Sequence, residues 1–279
     1  MVVVSGSVPK ERLIVMTDLK IFLWWIFITF TIICILFCIA AHLRYRNKKG
    51  IDQDNGFSSH YKYFGQPIYD QQHKLRGYEL LLREFDTHQN KWQLPKNVAN
   101  FPLSKMVYTL RQIDPQIIES IQVLALNMTV SQITDFRANY FFRWVLSVIN
   151  KQQLSVEIDA RDICKATFFQ QRRMFAVLKG LNHDHIKITI ENVDSTKITY
   201  QLLKKFLPFV DYLKFNIHSF KKSRNHWIDI TLAQWQRLIS KHHVVPIVGR
   251  IEEKDQLMLA NHLKINLRQG YALGRPSKV

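Results

Sequence analysis

The sequence predicts an α/β protein, a (β/α) barrel preceded by a single transmembrane helix, and three patterns predict it. Residues 21–41 form one uninterrupted apolar run. From His60 onward, short β-branched runs alternate with longer segments of helical spacing. Polar side chains recur at the ends of those short runs, where packing supplies no reason for them.

Size and composition fit this plan. The 279 residues, 47% hydrophobic, hold one anchor and one domain of barrel size without calling for a second domain. The first 59 residues carry seven Lys and Arg against four Asp and Glu, so +14 of the formal net charge of +17 belongs to the rest. A basic domain suits anionic partners, among them a phosphate-rich ligand or an acidic membrane surface. The three cysteines are Cys34, Cys38 and Cys164. Two lie in the apolar run and one far away, which excludes a disulfide framework and paired metal-ligand spacing.

Residues 1–20 are a short tail of mixed charge without periodicity and are left unassigned. Ile21–Ala41, IFLWWIFITFTIICILFCIAA, has 21 residues and no charge. At ~1.5 Å per residue it crosses a hydrocarbon core of ~30 Å. It is too long and too rich in Trp and Phe for a cleaved signal peptide, and the membrane segment is placed at 21–43. Arg44, Arg46, Lys48 and Lys49 follow it, against Lys10, Arg12 and Lys20 diluted by Glu11 and Asp18 before it. That bias predicts a single-pass protein of the cell membrane with its C-terminal domain in the cytoplasm. The basic cluster is expected against anionic headgroups. Residues 44–59 end in the polar linker GIDQDNGFSS, and 60–279 form the domain.

Within it, Ile121–Met128, Leu154–Asp159, Ile186–Ile190, Tyr212–Asn216 and Val244–Val248 read as buried strands. Ile133–Ile149, Arg161–Leu178, Lys197–Phe206, Thr231–Ser240 and Glu253–Leu263 read as helices. Repeated strand-helix units imply a parallel sheet covered by helices, and this many in one domain imply a barrel. Neither a GxGxxG fingerprint nor a P-loop is present.

The strand ends offer Asn127, Glu157, Glu191 with Asn192, Lys214 with Asn216, and Gln269. In a barrel these face one mouth. Any one of them alone is a cap; their convergence is not explained by capping. The stretch QPIYDQQHKLRGYELLLR, Gln66 to Arg83, adds a lone carboxylate, Glu79, followed by three leucines and Arg83.

That stretch resembles the signature of the EAL family, the cyclic di-GMP phosphodiesterases, in which a Gln-Pro-Ile strand leads to Glu-Ala-Leu-Leu-Arg; here Leu80 replaces the Ala. The resemblance runs through nearly all of residues 60–279. LALNMTVSQI keeps the family's metal-binding Asn as Asn127. LSVEIDARD keeps Glu157 but has Asp159 and Ala160. VDYLKF keeps Lys214, with Asn216 for the following Asp. IEEKDQLMLANHLKINLRQGYALGRP keeps Glu252, Gln269, Gly270, Tyr271 and Pro276. The resemblance therefore implies a TIM-like barrel of the EAL type. It also implies water-driven hydrolysis of a phosphodiester at two divalent cations.

Several positions depart from the family pattern. Where the family carries Asp-Asp-Phe-Gly, this chain reads Glu191, Asn192, Val193, Asp194, and Asp194 is a candidate for partial compensation. The family's Ala-Glu-Gly-Val-Glu reads Val248, Gly249, Arg250, Ile251, Glu252, so a carboxylate is lost and a cation gained. As the resemblance implies them, the metal ligands are Glu79, Asn127, Glu157 and Glu191, holding one Mg2+ or Mn2+ or none. Lys214 and Glu252 remain as residual catalytic groups, and Gln66, Arg83, Arg250 and Gln269 as ligand contacts. Fewer carboxylates and an added Arg weaken a second cation and favour phosphate.

The expected protein is a catalytically impaired, membrane-anchored regulator that binds cyclic di-GMP or an unidentified protein; an active phosphodiesterase is the alternative. A homodimer is allowed, and no nucleic-acid partner is expected. The Asn127-Met128-Thr129 sequon and the His183-Asp184-His185 group are read as incidental. The Gln170–Arg173 and Lys221–Arg224 clusters are read as solvated faces.

Overall fold

The computed structural model describes residues 10–46, 60–95, 101–149, 152–181, 183–221 and 227–279. It divides into two compact units, Met1–Gln53 and Asp54–Val279. Lys48 and Lys49 and the 50–59 linker lie outside the described residues, as do Lys222 to Arg224.

The first unit is helix α1, Lys10–Arg46, which begins eleven residues before the apolar run and so takes in about half of the tail left unassigned above. Its stretch Leu19–Leu43 is long and apolar enough to cross a membrane, with a mean hydropathy of 2.6 and no buried face. Hydrophobicity all round the cylinder suits lipid rather than a protein core. The two threonine hydroxyls are satisfied within the helix, Thr29 Oγ1 donating to the Trp25 carbonyl and Thr31 Oγ1 to that of Phe27, each at 2.8 Å.

The second unit is a closed barrel. Strands β1, Tyr61–Tyr69, and β2, Leu75–Asp86, form an antiparallel hairpin. Its polar turn is tied by Asp70, whose carboxylate accepts the backbone N–H groups of Gln72 and Lys74 and the Arg76 Nε at 2.8–2.9 Å. Strands β4 (Val123–Asn127), β5 (Gln153–Asp159), β6 (Ile186–Val193), β7 (Tyr212–Asn216), β8 (Val245–Gly249) and β9 (Leu267–Arg268) then add to β2 in parallel. Strand β9 returns to β1, antiparallel at Tyr69 and Arg268, which closes a ring of eight with β1 as its reversed member. Two short strands lie outside the ring: β3, Lys91–Gln93, on β2, and β10, Ser277–Lys278, on β1.

Strand alternation sorts the side chains. Leu154, Val156 and Ile158 of β5 are fully buried under the helices, whereas Ser155, Glu157 and Asp159 share the inner face. On β2 the same period sends Leu80 and Leu82 into the core and leaves Glu79, Leu81 and Arg83 on the cleft side. The leucine run after Glu79 is therefore a strand with two faces. Below the mouth, Ser155 and Thr189 hydroxyls share a 2.6 Å hydrogen bond that satisfies both in the dry interior.

The helices correct two expectations. The segment 133–149 is two helices, α4 (Val130–Ile133) and α5 (Ala138–Ile149), separated where Asp135 clasps Arg137. The segment 161–178 is likewise α6 (Ala160–Lys165) and α7 (Phe168–Lys179). The break there is a capping box in which Gln170 N–H donates to Thr167 Oγ1 and Thr167 N–H to Gln170 Oε1. Apolar periodicity runs through such a break unaltered. Helices α2 (Leu103–Leu110) and α3 (Pro115–Ser120) precede β4. Helices α8 (Lys197–Leu203), α9 (Leu232–Ser240) and α10 (Lys254–His262) follow β6, β7 and β8.

Candidate functional site

At the C-terminal ends of the parallel strands lies a cleft of about 400 Å3. It is lined by Gln66, Glu79, Arg83, Asn127, Glu191, Asn192, Lys214, Gly249, Arg250, Glu252 and Gln269, among others. Glu79 is the hub. Its Oε1 accepts Asn127 Nδ2 at 2.6 Å, and its Oε2 accepts Lys214 Nζ and Gln269 Nε2, both at 2.7 Å. The Lys214 ammonium also donates to Glu157 Oε2 at 2.8 Å and lies 3.9 Å from Glu191 Oε2.

These groups titrate in opposite senses. Burial opposes ionisation of Glu79, but the Lys214 charge and the hydrogen bonds from Lys214, Asn127 and Gln269 outweigh it, holding its pKa below the usual value. Burial pushes Glu157 up to about 7 against the pull of Lys214, with Glu79 repelling it further. Glu191 is pushed up to about 8 by burial, again against Lys214, with repulsion from Glu79, Glu157 and Asp159 added. Burial would lower Lys214, but its three carboxylate neighbours raise it, so it stays charged.

One divalent cation fits this set. An oxygen from each of Glu79, Glu157 and Glu191 lies within 4.8 Å of the others. An ionised Glu79 can only accept, so Asn127 must turn its NH2 towards it. The Asn127 Oδ1 is left buried without a hydrogen-bond partner among the described residues. A buried orphan carbonyl oxygen beside three carboxylates is the donor set of a hard cation such as Mg2+ or Mn2+. Three carboxylates against one ammonium leave two negative charges, which one such ion neutralises.

The adjoining position has fewer anionic groups. Asn192, at a left-handed φ of 54°, donates its Nδ2 to Asp159 Oδ2 at 2.8 Å and so presents a donor where a ligand is needed. Gly249 brings no side chain, and Arg250 beside it is exposed. Two dications ~4 Å apart repel by about 17 kcal/mol at an effective dielectric of 20, so a second ion would need anionic ligands of its own. Asp194 is turned towards its own loop, its Oδ1 accepting the N–H and Oγ1–H of Thr196 at the start of α8.

The EAL domain profile matches residues 53–276. The chain belongs to the EAL domain family. Solved structures share its fold. The EAL domain of FimX from Xanthomonas citri, in complex with cyclic di-GMP, is 14% identical, with a TM-score of 0.64 and coverage of 86% of this chain and 97% of that one. The FimX EAL domain from Pseudomonas aeruginosa, bound to cyclic di-GMP, is 16% identical, with a TM-score of 0.61 and coverage of 82% and 96%. The Bacillus subtilis YkuI protein, with an EAL domain and in complex with substrate cyclic di-GMP and calcium, is 18% identical, with a TM-score of 0.60 and coverage of 80% and 56%. No curated protein matches.

Within this EAL domain the residues singled out from sequence fall into two groups. Glu79, Asn127, Glu157, Glu191, Lys214 and Gln269 form one connected cluster. Gln66, Arg83, Arg250 and Glu252 line the same cleft without joining it. Gln66, paired in register with Glu79, donates to the Gly274 carbonyl at 3.3 Å, and Arg83 Nη1 to that of Leu82 at 3.0 Å. The Glu252 carboxylate is half exposed and lies 3.7 Å from His218 Nε2. Leu94 also lines the cleft, from a loop end that carries no sequence signal.

Proposed function

We propose that this EAL domain is a regulatory module of cyclic di-GMP signalling that binds the dinucleotide with little or no turnover and is held at a membrane by α1. The observation that carries it is the Asn192–Asp159 hydrogen bond beside a bare Gly249: one cation position is furnished with ligands and its neighbour is not. The FimX and YkuI structures, with cyclic di-GMP bound to the same fold, support the choice of ligand. Glu79, Asn127, Glu157 and Glu191 would hold the ion, which when bound polarises a phosphate oxygen.

The protein's own groups supply the rest. Arg83 and Arg250 offer guanidinium contacts to phosphates, and Lys214 stays charged between the carboxylates. In α1, a stretch of 25 apolar-rich residues supports a single-pass anchor. The orientation follows from the Lys and Arg after that stretch, which puts the domain in the cytoplasm.

The test pairs calorimetric titration of the purified chain with cyclic di-GMP and a search for linear product in Mg2+ or Mn2+. Micromolar binding without product is expected. Turnover that Glu79→Ala abolishes would establish an active phosphodiesterase instead. Absence of binding would leave a module for protein partners alone.

A further inference from the structure

Helix α7 carries a surface that the cleft does not explain. Its inner side is well packed: Met174 and Leu178 are buried, and the Phe175 ring stacks on Phe206 at 4.3 Å between centroids. Its first turn does the opposite. Phe168 and Phe169 are 69% and 80% exposed, and their rings contact each other edge to face. Contiguous exposed aromatics of this size mark an interaction surface.

The exposed charges that α6 and α7 themselves carry are of one sign. Arg172 and Arg173 follow the two phenylalanines one helical turn on, and Arg161 and Lys165 are exposed on α6. The acid on this stretch, Asp162, is turned inward to accept the Val130 N–H at 2.6 Å. Phenylalanines ringed by arginine and lysine match a surface that is apolar below and anionic above.

We infer that this α6–α7 face docks on an anionic lipid bilayer, with Phe168 and Phe169 entering the headgroup region and Arg172 and Arg173 meeting lipid phosphates. The choice of a bilayer rests on the reading of α1 as an anchor. The 13 residues from 47 to 59 span at most ~45 Å, so the face stays within reach of a lipid surface and binds it as a tethered, effectively intramolecular partner.

Residues 54–279, a compact unit with its own closed barrel, allow a test without the anchor. The unit is floated with vesicles of phosphatidylcholine alone or with one-third phosphatidylglycerol. Binding to the anionic vesicles only is expected. The pair Phe168→Ser and Phe169→Ser should weaken it by about fivefold or more, and Arg172→Glu with Arg173→Glu by at least as much with a shallower salt dependence. Both pairs should keep the wild-type melting temperature, because the side chains are exposed. No binding to anionic vesicles, or binding that the phenylalanine pair leaves unchanged, overturns the inference. So does a concentration-dependent dimer that the phenylalanine pair dissolves, which would assign the face to a second copy. Resistance of the full chain to alkaline carbonate extraction tests the anchor separately, so either reading can fail without the other.

Discussion

Asn192 Nδ2 sits 2.8 Å from Asp159 Oδ2, so an amide donor and not a second carboxylate faces that acid in the cleft. Replacing the amide by a carboxylate would set two anionic oxygens at hydrogen-bond distance. Asn192→Asp is therefore expected to destabilise the metal-free domain by about 1–3 kcal/mol and to regain that in Mn2+. A Cβ at Gly249 would make ordinary contacts of 3.4–3.5 Å with the Lys214 side chain, so the first carbon of a Gly249→Glu side chain has room. The double variant should show two manganese sites by anomalous scattering and should linearise cyclic di-GMP. A single site in the double variant would remove the basis for the proposed loss of catalysis.

Lys214 is the internal counter-ion of three acids. Lys214→Met keeps the length of the side chain and removes the charge, leaving Glu79, Glu157 and Glu191 to repel one another in a buried place. A loss of about 3–5 kcal/mol at pH 8 is expected, smaller at pH 6, where Glu157 and Glu191 take up protons. Urea unfolding at the two pH values, with and without Mn2+, measures it. Equal losses at both pH values would contradict the electrostatic account.

The same acids set a pH dependence. Glu157 and Glu191 have folded pKa values of about 7 and about 8, raised above their unfolded value. Such groups favour the fold fully below the unfolded pKa, and that contribution is lost as pH rises through 7 and 8. Metal-free protein should thus lose stability between pH 5.5 and 8.5, on the order of 5 kcal/mol, and Glu191→Gln should flatten the profile. Divalent-cation affinity should climb over the same window, with proton release visible by calorimetry in buffers of different ionisation enthalpy.

The Thr167–Gln170 capping box separates α6 from α7 away from the cluster. Thr167→Ala should cost about 1 kcal/mol of stability without changing cyclic di-GMP affinity. A large loss of affinity would mean that the helix pair positions the cleft.

Glu252 stands with His218 at the rim, half exposed. Glu252→Gln is expected to change ligand affinity by less than about twofold, as for other solvated pairs. A tenfold change by titration would place its carboxylate in the ligand shell after all.

The barrel was legible because strand ends repeat one chemical oddity, a polar group after an apolar run. The segment Tyr212–Asn216 coincides with β7 to the residue. The helix breaks were not legible, since Thr167 and Asp135 interrupt no apolar spacing. Helices α2 and α3 passed unassigned although Asp114 before Pro115 carries an N-cap signal; its side chain accepts the Gln116 N–H at 2.9 Å. In the cleft, residue types such as Glu79 and Lys214 could be picked out, but not the contacts joining them across 135 positions of chain. Asp194 shows the limit: two residues from Asn192 in sequence, it is drawn to Thr196 by a local turn that a motif comparison does not weigh.

The ring closes between its first and last staves, β1 and β9, and Gln269 reaches Glu79 across that seam. Until Leu267 to Gln269 are in place, the domain therefore has an open flank along β1 and its central acid lacks one of its three donors. The barrel cannot close before that long-range pairing is made, and a chain shortened before Leu267 would carry a sticky edge rather than a smaller barrel.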